Sequence, residues 1–198
     1  VLLALPGAAL AQKLLNNPSC ESEPLDWWVS PPLVQVKTSG WNGVSAHDGN
    51  RFLAVSGPAD VGYSYAQLVS QSLSAPFGTG LPNDNFLVYL YAATYIHTND
   101  GRAVSYAMTI DPGYGTMGST FHGGAQDEWV VAQTTAYYYA HDPYDPASAA
   151  KPLTVTLELR DPLDSGEYLL LDDVLLAYGD VGTPAPSAGA AASTGVVT

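Results

Sequence analysis

Acidic residues, histidines and a single cysteine are the side chains of this 198-residue chain that are best suited to chemistry. Glycosidase chemistry needs two convergent carboxylates with different pKa values, and the spacing singles out no pair beyond Glu128, Glu158 and aspartates in turns. No serine lies in a Gly-x-Ser-x-Gly elbow. The histidines lack the spacing of zinc ligands: His47, His97, His122 and His141. The sequence therefore predicts a protein that is not an enzyme.

Aromatic residues offer a different chemistry, because their rings can stack on the apolar faces of sugars. The chain has 13 tyrosines and 4 tryptophans. Alternate residues of a strand share a face, so Tyr89, Tyr91 and Tyr95 would form one row, and Tyr137 and Tyr139 another. The residues predicted to bind a ligand are Trp27, Trp41, Tyr89, Tyr91, Tyr137, Tyr139 and Tyr144. The alternative for each is ordinary packing within a sheet.

The charge balance excludes one class of partner. Only 6 Lys and Arg residues stand against 19 Asp and Glu residues, giving a formal net charge of -13. The cations are scattered singly, so they form no cluster that would bind a phosphate backbone or an anionic membrane. An acidic surface suits divalent metal ions, neutral ligands such as glycans, or simply high solubility. We predict no nucleic-acid partner.

The two ends of the chain differ in composition from the middle. Residues 1–12 resemble the end of a secretory signal, closing on Ala9-Leu10-Ala11 with small residues at the usual cleavage positions, or else form an apolar N-terminal extension. They are interrupted by Pro6-Gly7, which argues against a membrane span. Residues 181–198 are rich in Pro, Ala, Ser and Thr and are expected to form a linker or tail. Residues 13–180 are predicted to form one domain of an extracellular or cell-surface protein, in which the single Cys20 excludes an intrachain disulfide.

The middle of the chain predicts an all-β fold, because β-branched and aromatic residues recur in short runs separated by turn residues. We expect a two-sheet antiparallel β-sandwich of the jelly-roll kind. Its eight predicted strands are Leu33 to Lys37, Arg51 to Ser56, Ala66 to Leu73, Phe86 to His97, Ala103 to Ile110, Glu128 to Ala140, Leu153 to Arg160 and Tyr168 to Tyr178.

Two local patterns sharpen that prediction. Asp100-Gly101 is expected to supply the positive φ angles of a tight hairpin between the strands on either side. Between residues 153 and 160 the alternation is strict, which places four apolar side chains on the buried face and the polar ones in solvent. The run from Gly113 to Gly118 matches Gly-x-Gly-x-x-Gly but opens no helical pattern, so it is expected to be a loop.

Four motifs in order carry a resemblance to a known family. They are Asn17-Pro18-Ser19-Cys20-Glu21, then His47-Asp48-Gly49 before a strand, then Glu128-Trp129-Val130-Val131, and finally Asp172-Asp173-Val174. The series resembles the galactose-binding-like jelly rolls that occur as carbohydrate-binding modules on xylanases and cellulases and in exported bacterial surface proteins. Ser19-Cys20 stands where the family has Gly-Phe, and Asp48 replaces a common Ser. Cys20 thus takes the place of a core aromatic and is expected to be buried and inert.

The resemblance implies a structural calcium ion. In such modules the opening Glu, the closing Asp and carbonyl oxygens of the His-x-Gly turn hold the ion, which here implies Glu21, Asp48 and Asp172 or Asp173. Calcium prefers six to eight hard oxygen ligands, so this ion would join the two ends of the domain. Because neighbours on a regular strand point to opposite faces, only one of Asp172 and Asp173 is expected to be a direct ligand, and we favour Asp172.

Two functions follow as hypotheses. The resemblance and the tyrosine residues predict a non-catalytic, secreted or cell-surface module that binds a glycan or a cell-surface polysaccharide. The apolar segment 1–12 predicts, as the alternative, a structural subunit of an extracellular filament or surface layer that assembles into a homopolymer through its terminal segments.

Overall fold

The computed structural model describes residues 15, 19–22, 28–29, 33–59, 66–73, 85–111, 113, 118–123, 127–139 and 152–179. The terminal segments 1–12 and 181–198, for which a signal and a tail were predicted, lie outside these residues. The described residues form ten strands: β1 Trp28–Val29, β2 Val34–Thr38, β3 Arg51–Ser56, β4 Ala66–Leu73, β5 Asn85–His97, β6 Ser105–Asp111, β7 Gly118–Gly123, β8 Trp129–Tyr139, β9 Leu153–Leu159 and β10 Tyr168–Gly179.

The strands pair into two antiparallel sheets. Sheet A has the order β1-β4-β9-β6-β7, and sheet B has the order β2-β3-β10-β5-β8. This arrangement confirms the predicted two-sheet antiparallel β-sandwich. Within the described part of the chain, no helix has the length and apolar character that a membrane span requires.

Two strands were not predicted from the sequence. Strand β1 is only two residues long, and β7 begins and ends with glycine, so neither produces a recognisable run of strand-forming residues. The other eight strands were predicted, and β3 and β4 have the predicted bounds. The local patterns therefore located all five strands of sheet B and the three central strands of sheet A.

The core lies between the sheets and follows the period of two. On β5 the even-numbered residues Val88, Leu90 and Ile96 enter it, and on β9 the four alternating residues do so as predicted, being 0–5% exposed: Leu153, Val155, Leu157 and Leu159. Cys20 is 1% exposed and joins this core, which confirms its predicted burial. The odd-numbered residues of β5 consequently face away from sheet A.

The turn between β5 and β6 differs from the prediction. It is not a β-hairpin, because β5 belongs to sheet B and β6 to sheet A. Of its two central residues only Gly101 has a positive φ, of 75°. The turn is fixed by Glu167, a residue 2% exposed, whose carboxylate accepts hydrogen bonds from the Asn99 N–H (3.1 Å) and from Arg102 Nη2 (2.5 Å). The position of the turn was predicted correctly. The pairing of its flanking strands was not, because the contacts with Glu167 hold the turn where the chain passes from sheet B to sheet A.

The outer face of β9 is less solvated than predicted. Glu158 was expected in solvent, but it is only 8% exposed, on the same face of sheet A as the equally buried Thr109. Arg160 Nη2 donates a hydrogen bond to the Glu158 carboxylate. Burial raises the pKa of Glu158, and the adjacent Arg160 charge only partly offsets that effect. Alternation correctly predicted the face of Glu158 but not its burial.

Candidate functional site

The outer face of sheet B, the face turned away from sheet A, is divided into two halves. Residues 39–50, here named the covering loop, close over one half. Val44 of this loop is buried against β3 and β10 in a small hydrophobic cluster whose other buried members are Phe52, Ala54, Tyr168 and Leu170. The Trp129 indole at the start of β8 donates a hydrogen bond to the Ser45 carbonyl oxygen (2.9 Å). The covering loop thus occupies a definite position on the sheet.

Asp172 on β10 anchors the centre of the covering loop. It is 0% exposed, and its Oδ2 accepts hydrogen bonds from the N–H groups of His47 (2.8 Å) and Asp48 (3.0 Å). Its Oδ1 accepts one from the Asp173 N–H (2.7 Å). The pairing of β10 with β5 shifts register between Asp172 and Leu175, and Asp173 has a φ of 44°. This bulge replaces the regular alternation that was predicted for the Asp172-Asp173 pair.

Glu21 holds the end of the same loop. Its Oε1 accepts hydrogen bonds from the N–H groups of Asn50 (2.8 Å) and Arg51 (2.6 Å). Gly49 lies between the two anchors with a φ of +64°, and a Cβ built on it would be 2.6 Å from Glu21 Cδ. Only glycine satisfies both the backbone conformation and the close approach of the carboxylate. The predicted meeting of Glu21 with Asp172 therefore occurs through the covering loop.

The junction of Glu21, the covering loop and Asp172 is rich in carboxylates. Asp48 Oδ2 accepts a hydrogen bond from Ser19 Oγ (3.0 Å), and Asp173 Oδ2 lies 3.7 Å from His47 Nδ1. Burial raises the pKa of Asp172 to about 7, because the three backbone hydrogen bonds compensate only part of the lost hydration and the Asp173 charge adds to the shift. Four carboxyl groups thus lie in or beside one short loop, and among the described residues no cation forms an ion pair with the buried one, Asp172.

The calcium ion that the resemblance implies would find only part of its ligands among these side chains. No group of three or more His, Cys, Asp or Glu residues is arranged to hold a metal ion among the described residues. Any calcium ion would therefore need carbonyl oxygens of the covering loop as further ligands, as the resemblance implied. Glu21 and Asp172 would hold it, and its charge would compensate the buried Asp172 carboxylate.

The other half of the outer face carries tyrosines. Strands β5 and β8 pair in register from Asn85 with Tyr139 to Tyr95 with Trp129, which brings both predicted aromatic rows onto one face. Tyr89 and Tyr91 lie on β5, and Tyr137 lies on β8 beside them; these three residues are named the tyrosine row. Tyr89 and Tyr91 are each 3% exposed and pack with Leu175 and Ala177 of β10.

Tyr137 and its neighbours on β8 are accessible. Tyr137 is 47% exposed, and Gln133 and Thr135 on the same side of the strand are exposed too. Gln133 pairs with Tyr91 and Thr135 with Tyr89, so their amide and hydroxyl groups stand beside the two buried rings. Burial raises the pKa of Tyr91 to about 12, and the neighbouring Tyr89 hydroxyl adds to that shift. Burial and Tyr137 likewise raise the pKa of Tyr89, so these phenols are neutral hydrogen-bonding groups at pH 7.

The structure separates the predicted ligand-binding residues. Trp41 packs edge-on against Tyr168 with ring centres 5.1 Å apart, under the Lys37 ammonium, and belongs to the cluster of the covering loop. Trp27 and Tyr144 lie outside the described residues, and of Tyr139 only the backbone is described. Sequence reasoning missed Gln133 and Thr135. The alternation of β8 shows that Gln133 and Thr135 share a face with Tyr137. Their position beside Tyr89 and Tyr91 depends on the register of β8 with β5.

Comparisons with solved structures agree on the fold. The Stig cyclase FisC from Fischerella sp. TAU, in complex with (3Z)-3-(1-methyl-2-pyrrolidinylidene)-3H-indole, is 15% identical, with 87% of this chain and 99% of that chain covered and a TM-score of 0.61. The CBM22-1-CBM22-2 tandem domain of Xyn10C from Paenibacillus barcinonensis is 18% identical, with 89% of this chain and 49% of that chain covered and a TM-score of 0.54.

The sequence of the chain matches no protein-family model and no curated protein. At these low identities the structural likeness concerns the fold. The molecule therefore has the carbohydrate-binding-module-like β-sandwich that its four ordered motifs predicted, and the same fold also occurs in an enzyme.

Proposed function

We propose that the protein is a non-catalytic, extracellular or cell-surface module that binds a glycan on the tyrosine row. The observation that carries this proposal is the placement of Tyr89, Tyr91 and Tyr137 on one face, beside two exposed polar side chains of β8. Sugars present apolar ring faces and hydroxyl groups together, so a binding site needs aromatic surface next to hydrogen-bonding groups.

The described residues supply both kinds of contact. The half-exposed ring of Tyr137 offers a stacking surface, while Tyr89 and Tyr91, each 3% exposed, pack beneath it and contribute little surface of their own. Gln133 and Thr135 can donate hydrogen bonds to sugar hydroxyls and accept hydrogen bonds from them. Gln133 Nε2 lies 3.4 Å from Thr135 Oγ1, so the two side chains already form a continuous polar edge.

A binding role is favoured over catalysis by the places of the acidic residues. Glu158, one of the two candidate glutamates, lies on sheet A and is paired with Arg160. Glu128 lies just before β8, at the end of the strand opposite Tyr137. The two glutamates therefore do not converge beside the tyrosine row, as glycosidase chemistry would require. The apolar segment that ends at Ala11 and the net charge of -13 support an extracellular location.

A structural calcium ion at the junction of Glu21, the covering loop and Asp172 is part of the proposal. Its support is the placement of the buried Asp172 carboxylate and of the Glu21 carboxylate against the same short loop. The ion would fix the covering loop on sheet B without taking part in ligand binding.

Isothermal titration with a panel of neutral oligosaccharides, including xylohexaose, tests the glycan proposal. We expect binding by the natural protein and a loss of at least about fivefold in affinity for Tyr137→Ala, taking the roughly 1–3 kcal/mol of a nucleobase stacked on an aromatic ring as the guide for a sugar on the same kind of surface. Val131→Ala is the matched control, because Val131 is 43% exposed on the same strand. Absence of binding to the whole panel would refute the proposal. Binding of 4-(1H-indol-3-yl)butan-2-one, a ligand of one structurally similar cyclase, would favour an enzyme instead.

Self-assembly is the second candidate, and β8 is the observation that favours it. This strand is eleven residues long, contains no charged residue, glycine or proline, and lies at the end of the strand order of sheet B among the described strands. Long uncharged edge strands can pair with another chain. Light scattering of the purified protein over a wide concentration range would reveal such assembly, and a monodisperse monomer would exclude it.

A further inference from the structure

The tyrosine row is bordered by uncharged side chains. On β8 the outward-facing described residues next to it are Gln133 and Thr135, and on β10 they are Leu175 and Ala177. Within the described part of this face, no basic residue is available to a negatively charged ligand. The site therefore offers ring surface and neutral hydrogen-bonding groups only.

The cations of the described residues are all engaged elsewhere. Each lies against a partner away from the tyrosine row: Lys37 against Gln35 and Trp41, Arg51 against Glu21, Arg102 against Glu167, and Arg160 against Glu158. The other two, Lys13 and Lys151, lie outside the described residues. Reassigning Arg102 or Arg160 to a ligand would leave a buried carboxylate without its partner, which costs about 3–5 kcal/mol.

A carboxylate on a sugar would consequently lose hydration here without gaining an opposing charge. Charged groups are desolvated at a high cost unless they are paired. The net charge of -13 adds a repulsion at longer range, which salt screens over about 8–10 Å at physiological ionic strength.

We propose that the tyrosine row selects uncharged glycans and discriminates against glycans that carry uronic acid or sulfate groups. This inference rests on the proposed function and names the ligand class of the same site. It follows from the neutral residues around Tyr89, Tyr91 and Tyr137 and from the engagement of the described cations by other partners.

A matched pair of ligands tests this selectivity. The first probe is a xylo-oligosaccharide that carries a glucuronic acid branch, and the second is the same oligosaccharide after reduction of the branch carboxylate to an alcohol. The pair has the same shape and differs only in charge. In isothermal titration at 50 mM NaCl, we expect the reduced form to bind at least tenfold more tightly, and at 500 mM NaCl we expect a smaller difference that does not vanish.

A positive charge introduced beside the tyrosine row provides a second test of the selectivity. Thr135→Lys places an ammonium group next to Tyr89 and should improve binding of the acidic oligosaccharide about tenfold relative to the reduced one. Thr154→Lys is its control, because Thr154 is a partly exposed threonine of sheet A. It adds the same charge to the protein but should leave the ratio of affinities nearly unchanged.

The outcomes separate the two proposals. Equal affinity of the natural protein for the acidic and the reduced oligosaccharide would overturn the selectivity while leaving glycan binding in place. An equal response to Thr135→Lys and Thr154→Lys would also overturn it, since the local absence of a cation would then not be the cause. Failure of the protein to bind any neutral oligosaccharide of the panel would instead refute the proposed function.

Discussion

Asp172 and Glu21 hold successive parts of one loop: Asp172 accepts hydrogen bonds from the N–H groups of His47 and Asp48, and Glu21 accepts them from Asn50 and Arg51. Asp172 lies 125 positions from His47 in the chain. Residues near the beginning and the end of the domain therefore both determine how the covering loop lies on sheet B.

Replacing Asp172 with Asn should lower the free energy of unfolding by about 1–2 kcal/mol. The substitution puts an NH₂ group among backbone N–H donors in a site that is 0% exposed, a cost that is partly offset because it also removes a charge whose burial raises the pKa of Asp172. Asp173→Asn should cost less than about 1 kcal/mol, because that side chain is 23% exposed and faces His47. Urea denaturation in excess chelator measures both values without a contribution from bound metal. Equal costs would contradict the assignment of Asp172 as the principal anchor.

Gly49→Ala should destabilise the protein more than Gly43→Ala. Both glycines have positive φ, so both variants have the backbone strain of about 1 kcal/mol that alanine has in this conformation. Only at position 49 would the new Cβ also meet the Glu21 carboxyl group, whereas nothing lies within 4 Å of a Cβ at position 43. The difference between the two unfolding free energies measures the close contact. If the two variants are equally stable, Glu21 moves away without cost.

The unfolding free energy should decrease between pH 10 and pH 12 in part because of Tyr91. Burial raises the pKa of this phenol to about 12, so above pH 10 the unfolded chain loses the Tyr91 proton more readily than the folded protein does. Stability associated with the neutral phenol is thus complete below pH 10 and is lost as the pH approaches 12. By pH 11 the loss amounts to about 1 kcal/mol.

Urea denaturation of the natural protein and of Tyr91→Phe at pH 9 and pH 11 isolates this effect. The variant should lose less stability than the natural protein over that interval. An identical loss in both proteins would show that Tyr91 ionises equally readily in the folded and unfolded chains.

Calcium should raise the melting temperature of the protein, and excess chelator should lower it. An ion that binds the folded protein alone stabilises it in proportion to the logarithm of its concentration, and here it would also compensate the Asp172 charge. Glu21→Gln should reduce the response to calcium, whereas Glu128→Gln, which changes an exposed glutamate away from the junction, should not. A melting temperature that is the same in calcium and in chelator would show that the hydrogen bonds suffice to hold the loop.

Local pattern predicted the strands well because most of them combine an apolar face with turn residues at each end. The alternation of Leu153, Val155, Leu157 and Leu159 identified the buried face of β9 correctly. It could not reveal the burial of Glu158, which depends on its neighbours in sheet A. The turn at Gly101 shows the same limit, since its residues specify a change of direction but not which strands pair.

The candidate site was harder to predict than the strands, because it depends on contacts between residues that are distant in the sequence. The motifs pointed to Glu21, His47 and Asp172, and the structure brings the three together. The bulge at Asp173 was not predictable, because no residue in the local sequence of β10 marks a shift of register. Likewise, the gathering of Tyr89 and Tyr137 on one face required the register of β5 with β8.

The position of β10 in sheet B has a consequence for biosynthesis. This strand is the last of the ten that the structure describes, yet it lies between β3 and β5. A ribosome must therefore complete residue 179 and release it from the exit tunnel before the middle of the sheet can form. Until then β3 and β5 lack the strand that joins them, and the nascent polypeptide exposes apolar residues that chaperones recognise. Closure of the sandwich is accordingly a late event in the synthesis of the domain.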